Sequence, residues 1–257
     1  MSRRAIIVQA RMNSTRLPGK VLLRIAGRTI LDHVLTRCMA VQGIDSVVCA
    51  TVSHTDCDPI AAEAARLGAV VFRGSEDDVL SRFIDAAEAV NAAVVMRITS
   101  DCPLIDAEVC SAVFNMHAES GADYACNNLP HSWPLGLDCE VFTLETLRRA
   151  DAISSTSDTR EHATRTMRRD DRFTRISLLG PGGVWNAMRW TLDTEDDLRF
   201  FQTLLPQVTG PNMTTAKLGA FLRQHPEIGA LNTCQESNHL MLPAAATRPY
   251  TDFMAPL

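Results

Sequence analysis

The chain has 257 residues, is 46% hydrophobic and carries a formal net charge of −5 at pH 7. This length holds one large α/β domain or two small ones, and the apolar content excludes disorder across most of the chain. The acidic balance offers nucleic acid no global basic field, so an anion must be held by a local cluster of cations.

No stretch approaches the ~18 to 20 uncharged apolar residues of a membrane helix. Met-Ser-Arg-Arg starts like a signal peptide, but the apolar run behind it breaks at Gln9 and Arg11, too early for an h-region. The expected location is therefore cytoplasmic. The eight cysteines are scattered without a C-x-x-C, which speaks against a zinc knuckle or a thioredoxin-type pair and for reduced thiols packed as small hydrophobes.

In chain order, Ile6, Ile7 and Val8 form a β-branched run suited to a strand buried on both faces, ending at Gln9. A cationic loop follows, and then a brief extended segment, Val21 to Ile25. Thr29 caps a helix with apolar residues Ile30, Leu31, Val34, Leu35 and Cys38 at helical spacing, and Gly43 marks its end. Ser46 to Thr51 reads as a strand, and Pro59 opens a helix that Gly68 closes. Val70 to Phe72 is a third strand, and Asp77 and Asp78 introduce a helix through Val79, Leu80, Phe83, Ile84 and Ala87. Val94 to Ile98 is a fourth strand. This β-α-β-α-β-α-β order with short connections predicts a mostly parallel sheet covered on both faces, a three-layer α/β/α fold.

The second half is less regular. A helix from Asp106 to about Ser120 leads to an irregular stretch up to Gly136, a strand from Leu137 to Thr143, and helices over Leu144 to Ile153 and Thr159 to Arg169. Strand-like Phe173 to Leu179, the turn at Gly180 to Gly183 and a late strand, Met188 to Leu192, come next. Helices from Glu195 to Leu205 and Thr214 to Arg223 complete the pattern. The expected organisation is a single domain over residues 1–229 with an inserted region at about 127–170, and a poorly ordered tail over 230–257.

Between Gln9 and Lys20 the chain places Arg11, Arg16 and Lys20 with Ser14 and Thr15 and no carboxylate, immediately beyond the first strand. Cations, hydroxyls and free N–H groups at a strand end suit a polyphosphate. Neither G-x-x-x-x-G-K-[ST] nor G-x-G-x-x-G is present, so such a cradle relies on side-chain charge. In open parallel sheets ligands bind beyond the carboxyl ends of strands. There the fourth strand ends in Asp101 and the late strand in Asp193. Read singly, Asp101 caps a turn before Pro103 and Asp193 caps the next helix. Read with the loop, the two carboxylates make a Mg²⁺ site that shares substrate phosphates.

The string Gln9-Ala10-Arg11-x-x-Ser14-x-Arg16-x-Pro18-x-Lys20 resembles the nucleotide-binding signature of the CMP-sugar synthetases, the acylneuraminate and KDO cytidylyltransferases. Arg73 to Leu80, Arg97 to Leu104, Pro134 to Phe142, Arg160 to His162 and Arg189 to Asp193 resemble most closely the spore-coat polysaccharide biosynthesis branch of that family. The resemblance runs from about Ile6 to Leu205. It implies a nucleotide-diphospho-sugar transferase fold and transfer of CMP from CTP to an acidic sugar or related acceptor, assisted by Mg²⁺.

It also implies roles. Arg11 and Lys20 contact the triphosphate, with Ser14 and Arg16 completing the cradle, while Ala10 and Arg73 approach cytosine and ribose. Asp101 and Asp193 hold Mg²⁺, and the inserted segment is where related enzymes pair as dimers. Asp138, Glu140, Arg160, Glu161 and His162 fall in the part that faces the acceptor, with Glu140 or His162 as a candidate base. The alternative has Glu140 paired with an arginine and His162 as a satisfied helix histidine. Arg160, Arg165, Arg168 and Arg169 read as a solvated face or dimer surface. A sugar-1-phosphate nucleotidylyltransferase lacks support because the G-x-G-T-R loop is absent, and a glycosyltransferase because Asp101 is followed by Cys102 and Pro103 instead of D-x-D. A non-catalytic nucleotide sensor would not need both carboxylates.

Overall fold

Alternate residues of the first strand, β1 (Arg4–Gln9), feed two separate cores: Ile6 and Val8 pack on one side of the sheet, Ala5 and Ile7 on the other. All four are fully buried. A β-branched run is tolerated there because helices cover both faces, as expected for a strand inside a parallel sheet. The structure is a computed structural model, and it describes residues 2–208, 210, 213–232 and 245–250.

After β1 come a small antiparallel ribbon, β2 (Arg24–Ile25) and β3 (Arg28–Thr29), and helix α1 (Ile30–Met39). Next are β4 (Ser46–Val52), α2 (Asp58–Arg66), β5 (Val70–Gly74), α3 (Val79–Ala89), β6 (Val94–Thr99) and α4 (Ala107–Ser120). The middle of the chain gives β7 (Tyr124–Cys126), β8 (Glu140–Thr143), α5 (Leu144–Asp151), α6 (Ser157–Glu161) and α7 (Arg165–Arg169). It ends with β9 (Arg175–Leu179), α8 (Glu195–Leu204), α9 (Thr215–Gln224), α10 (Pro226–Gly229) and β10 (Ala246–Pro249).

The main sheet has eight strands in the order β10-β9-β7-β8-β6-β1-β4-β5. Only β8 runs against its neighbours, pairing antiparallel with β6 and β7; the remaining pairs are parallel. Helices α1, α2, α4, α8 and α9 supply one core, and α3, α5 and α7 the other, which gives the three-layer architecture expected from the repeating βα pattern. Among the described residues no helix is long and apolar enough to cross a membrane.

Two of the expected caps, Thr29 and Asp78, are present, and Asp106 caps α4. Thr29 Oγ1 accepts the Asp32 N–H, Asp78 accepts that of Ser81 at 2.9 Å, and Asp106 accepts those of Glu108 and Val109.

Several boundaries differ from the sequence pattern. The segment expected to be extended from Val21 begins as a 3₁₀ turn, Lys20–Leu22. The helix expected over Thr159 to Arg169 is two short ones. It breaks where Thr164 turns its hydroxyl to Glu140 Oε1 at 3.0 Å. Met188 to Leu192 is not a strand of the sheet. Its backbone bonds to loops instead: Trp190 N–H donates to the Leu135 carbonyl at 2.6 Å and Leu192 N–H to that of Asp101 at 2.9 Å. Strand β7 carries no polar alternation because both its faces are covered, so periodicity missed it. Within the expected tail, 230–232 form a 3₁₀ turn and β10 adds a parallel edge strand to β9. Residues 233–244 and 251–257 lie outside the described residues.

Candidate active site

The loop after β1 is shaped by its own backbone. The Met12 carbonyl accepts N–H bonds from both Ser14 and Gly19 at 3.0 Å, while Leu17 and Val21 anchor the turn in the core. This fold-back leaves Arg11, Ser14, Thr15 and Arg16 facing a cleft and drives Lys20 to its floor, where only 10% of the side chain is exposed. There Lys20 Nζ donates to Asp101 Oδ2 at 2.7 Å and to Asp193 Oδ1 at 2.6 Å. Burial opposes the ammonium charge, yet the two carboxylates outweigh it and hold the Lys20 pKa above its ordinary value. Burial likewise pushes the Asp101 carboxyl up, and Lys20 more than reverses it, so its pKa lies below the usual range.

Asp101 follows β6 directly: Ser100 N–H donates to the Gln9 carbonyl at 3.1 Å, which sets the end of β6 beside the start of the loop. Asp193 arrives on the segment that replaces the expected late strand. Gly136 permits this approach. It has φ +107°, and a Cβ there would stand 2.4 Å from the Trp190 carbonyl oxygen. Asp193 does not cap the next helix; Thr194 does, in a capping box with Asp197. Asp197 is instead the brace. It accepts the N–H groups of Asp193 and Thr194 at 2.9 Å and takes the Arg189 guanidinium on both oxygens, at 2.7 and 2.9 Å. Arg189 then reaches Asp193 Oδ2 at 3.2 Å, and the exposed Arg16 reaches the same oxygen at 3.1 Å.

The cleft holds about 280 Å³. Five cations line it (Arg11, Arg16, Lys20, Arg82, Arg97) against three carboxylates (Asp101, Glu161, Asp193). An acidic chain thus concentrates positive charge where the parallel strands end, which suits an anionic ligand. Of the residues singled out from sequence, Ala10, Arg11, Ser14, Arg16, Lys20, Asp101, His162 and Asp193 come together here.

Four others do not line the cleft. Arg73 pairs with Asp58 and donates to the His54 carbonyl. Arg160 ties α6 to Asp78 and Asp151. Asp138 accepts from Asn128 Nδ2 and from the Gly136 N–H. Glu140 is 2% exposed and receives Arg97, Arg168, Tyr124 and Thr164. Burial raises the Glu140 pKa, and the two arginines overcome that and bring it down to about 2. It is a buried hub already occupied by its partners, in line with the alternative sequence reading of an arginine-paired carboxylate. Arg168 accordingly belongs to the interior and not to a solvated face, with 22% of its side chain exposed.

Glu161, expected on the acceptor side, lines the cleft too, and so do Gln9, Arg82 and Arg97, to which the sequence pattern assigns no individual role. Two carried a readable signal. Arg97 interrupts an apolar strand, and Arg82 sits on the apolar stripe of α3 beside Val79 and Phe83. Gln9 Oε1 accepts from Arg97 Nε at 3.0 Å.

A model of the cytidylyltransferase family matches residues 5–184. The chain belongs to the cytidylyltransferase family. It is therefore an enzyme of the nucleotidyltransferase class. The spore coat polysaccharide biosynthesis protein SpsF of Bacillus subtilis is 32% identical to this cytidylyltransferase over 229 residues, 86% of this chain and 94% of that protein. A 3-deoxy-manno-octulosonate cytidylyltransferase of Solibacter usitatus is 39% identical over 103 residues, 39% of either chain. Among solved structures, a cytidylyltransferase from Leptospira borgpetersenii superposes with a TM-score of 0.84 at 27% identity, covering 92% of this chain and 100% of that one. CMP:2-keto-3-deoxy-manno-octonic acid synthetase complexed with CTP shares the fold, with a TM-score of 0.60 at 16% identity, covering 80% of this chain and 99% of that one.

The donor set of this cytidylyltransferase fits a hard divalent cation. Two carboxylates from different loops already converge on one cationic atom, Lys20 Nζ. Mg²⁺ takes one or two protein carboxylates and completes its shell with water and substrate phosphates. Among the described residues no group of three or more His, Cys, Asp or Glu gathers to form an all-protein cage.

Proposed function

We propose that the enzyme transfers CMP from CTP to an acidic sugar or a related acidic acceptor, with release of pyrophosphate, in the synthesis of surface polysaccharide. The observation that carries this reading is the Lys20 ammonium set between Asp101 and Asp193 on the floor of a cation-lined cleft. The relatives named for 3-deoxy-manno-octulosonate cytidylyl transfer and spore coat polysaccharide synthesis support the acceptor class and the pathway.

An acceptor oxygen bonds to the α-phosphorus of CTP as the bond from that phosphorus to the oxygen bridging the β-phosphate breaks. The electron pair leaves with pyrophosphate. Arg11, Arg16 and Lys20 face the triphosphate and meet the charge that develops on the leaving group, a preorganised stabilisation that needs no solvent rearrangement. Asp101 and Asp193 would hold Mg²⁺, which supplies Lewis-acid polarisation of a phosphoryl oxygen when bound.

His162 lines the cleft at the end of α6. Burial, with Arg165 adding like charge, lowers its pKa, so the ring is neutral at pH 7 and able to take the acceptor's proton. The test is pyrophosphate release with CTP, Mg²⁺ and a panel of acidic sugars, the product identified by mass. Release confined to CTP and one acceptor class supports the reading, and equal turnover with UTP or dTTP defeats the cytidylyl assignment.

A further inference from the structure

Arg82 stands on the buried stripe of α3 between Val79 and Phe83, and 2% of the residue is exposed. Its stem lies across Gly74 at the end of β5, where a Cβ would come within 2.9 Å of Arg82 Cγ. The missing side chain at position 74 leaves the space the arginine fills. Nη1 donates to the Ser75 carbonyl. Nε is buried and has no hydrogen-bond partner.

Among the described residues Arg82 has no carboxylate within ion-pair distance, whereas Arg73, Arg97, Arg160 and Arg189 each hold at least one. The nearby charge does not compensate it: burial first, and then Arg11, lower the Arg82 pKa, and the more distant Glu76 carboxylate opposes them only in part. A buried guanidinium without a counter-charge is costly. This one opens onto the cleft, opposite the loop that carries Arg11, Ser14 and Lys20.

We propose that Arg82 contacts a phosphate of the bound nucleotide and closes, from the α3 side, the cradle that the Arg11 to Lys20 loop builds from the other. The inference rests on reading the cleft as a nucleotide site. A guanidinium suits the role because its planar donors match phosphate oxygens, and the incoming anion supplies the charge and the acceptor that Nε lacks. Arg73, the arginine expected near the nucleotide from sequence, is tied to Asp58 and the His54 carbonyl and does not line the cleft. The competing explanation is a staple: Arg82 holds the 74–78 turn through Ser75 and touches no ligand.

Calorimetric titration of the full chain separates the two, with CTP, cytidine and inorganic triphosphate as probes against the wild type, Arg82→Met and Arg82→Lys. If Arg82 meets a phosphate, Arg82→Met weakens CTP and inorganic triphosphate by about tenfold to a hundredfold, the loss of one charge-assisted hydrogen bond. Cytidine then changes by less than about threefold, and Arg82→Lys recovers part of the triphosphate affinity. Equal losses for CTP and cytidine, or no loss for either, overturn the proposal in favour of the staple. Should Arg82→Met fail to fold, Arg82→Lys carries the same comparison. A wild type that binds inorganic triphosphate but not CTP defeats the proposed function while the variants still judge Arg82. A wild type that binds neither defeats both.

Discussion

Lys20 and Asp193 lie 173 positions apart in the chain and 2.6 Å apart in the fold. The same ammonium holds Asp101 at 2.7 Å, so one cation joins two carboxylates that would otherwise repel each other across the cleft. The arrangement is preorganised for anion chemistry. The loop after β1 neutralises the acidic floor beneath it and, in the proposed reaction, also supplies charge to the nucleotide.

Replacing Lys20 with Met keeps the stem and removes the charge. Pyrophosphate release under the proposed reaction is expected to fall about 10²- to 10³-fold, the scale seen when one preorganised donor is lost. Asp101 then keeps its burial without its cation, so its pKa rises. Steady-state rates at saturating CTP, with a urea melt as a folding control, check this. A rate within threefold of wild type would place Lys20 outside the chemistry.

The brace behind Asp193 predicts a different defect. In Arg189→Met, Asp197 keeps its backbone N–H bonds and Asn232, at 3.1 Å, but loses its only cationic partner among the described residues. Breaking a buried pair in this way costs about 3 kcal/mol. Asp193 loses its orientation, so kcat is expected to drop roughly tenfold for a small misplacement of a site carboxylate while CTP affinity holds. The check is a denaturant midpoint together with separate kcat and Kd measurements. Unchanged stability would show that Arg189 is not a brace.

How much of this was readable in advance depended on the range of the interaction. Strands β1, β4, β5 and β6, the caps at Thr29 and Asp78, and the convergence of the basic loop with Asp101 follow from local periodicity and strand-end logic. Asp193 does reach the cleft, but not at a strand end as the pattern implies: the segment that carries it is docked on Leu135 and Asp101. Arg73 lies off the cleft because its partner Asp58 sits on a different element, and Glu140 follows the alternative of an arginine-paired carboxylate, although the sequence does not say that Arg97 and Arg168 are the partners. No spacing rule shows that a charge is already paired. Arg82 and Arg97 carried the opposite signal, a cation on an apolar face, and that pattern marks a residue with work to do in the interior.

Glu140 makes the stability depend on acid. Its pKa is about 2 in the fold against an ordinary 4.5, so between those values the unfolded chain binds the extra proton and stability rises with pH. The contribution is complete above roughly pH 4.5 and is lost as pH falls toward 2. Glu140→Gln leaves Arg97 and Arg168 without their carboxylate and is expected to cost about 3 to 5 kcal/mol near neutral pH. The variant's stability should also fall less steeply than the wild type's through the acid window. Parallel acid unfolding curves for the two proteins would sink the assignment of that slope to Glu140.

Arg160 predicts a defect on the acceptor side. Its guanidinium joins α6 to Asp78, the cap of α3, at 2.6 Å and to Asp151 at 3.0 Å. The side-chain hydrogen bond to Asp78, opposed by burial, raises its pKa. The pairs are partly exposed, so Arg160→Met is expected to cost no more than about 1 kcal/mol of stability. The functional effect is larger because α6 carries Glu161 and leads into His162, both in the cleft. With the tether cut, acceptor KM should rise about threefold to tenfold while CTP affinity stays within twofold, since one modest contact is worth that much. His162→Gln should instead lower kcat and remove the acid limb of the rate profile, a limb that lies below pH 6.5 because the His162 pKa is lowered. Kinetics with CTP and acceptor varied in turn distinguish the two variants. An effect of Arg160→Met confined to CTP would show that α6 serves the nucleotide and not the acceptor.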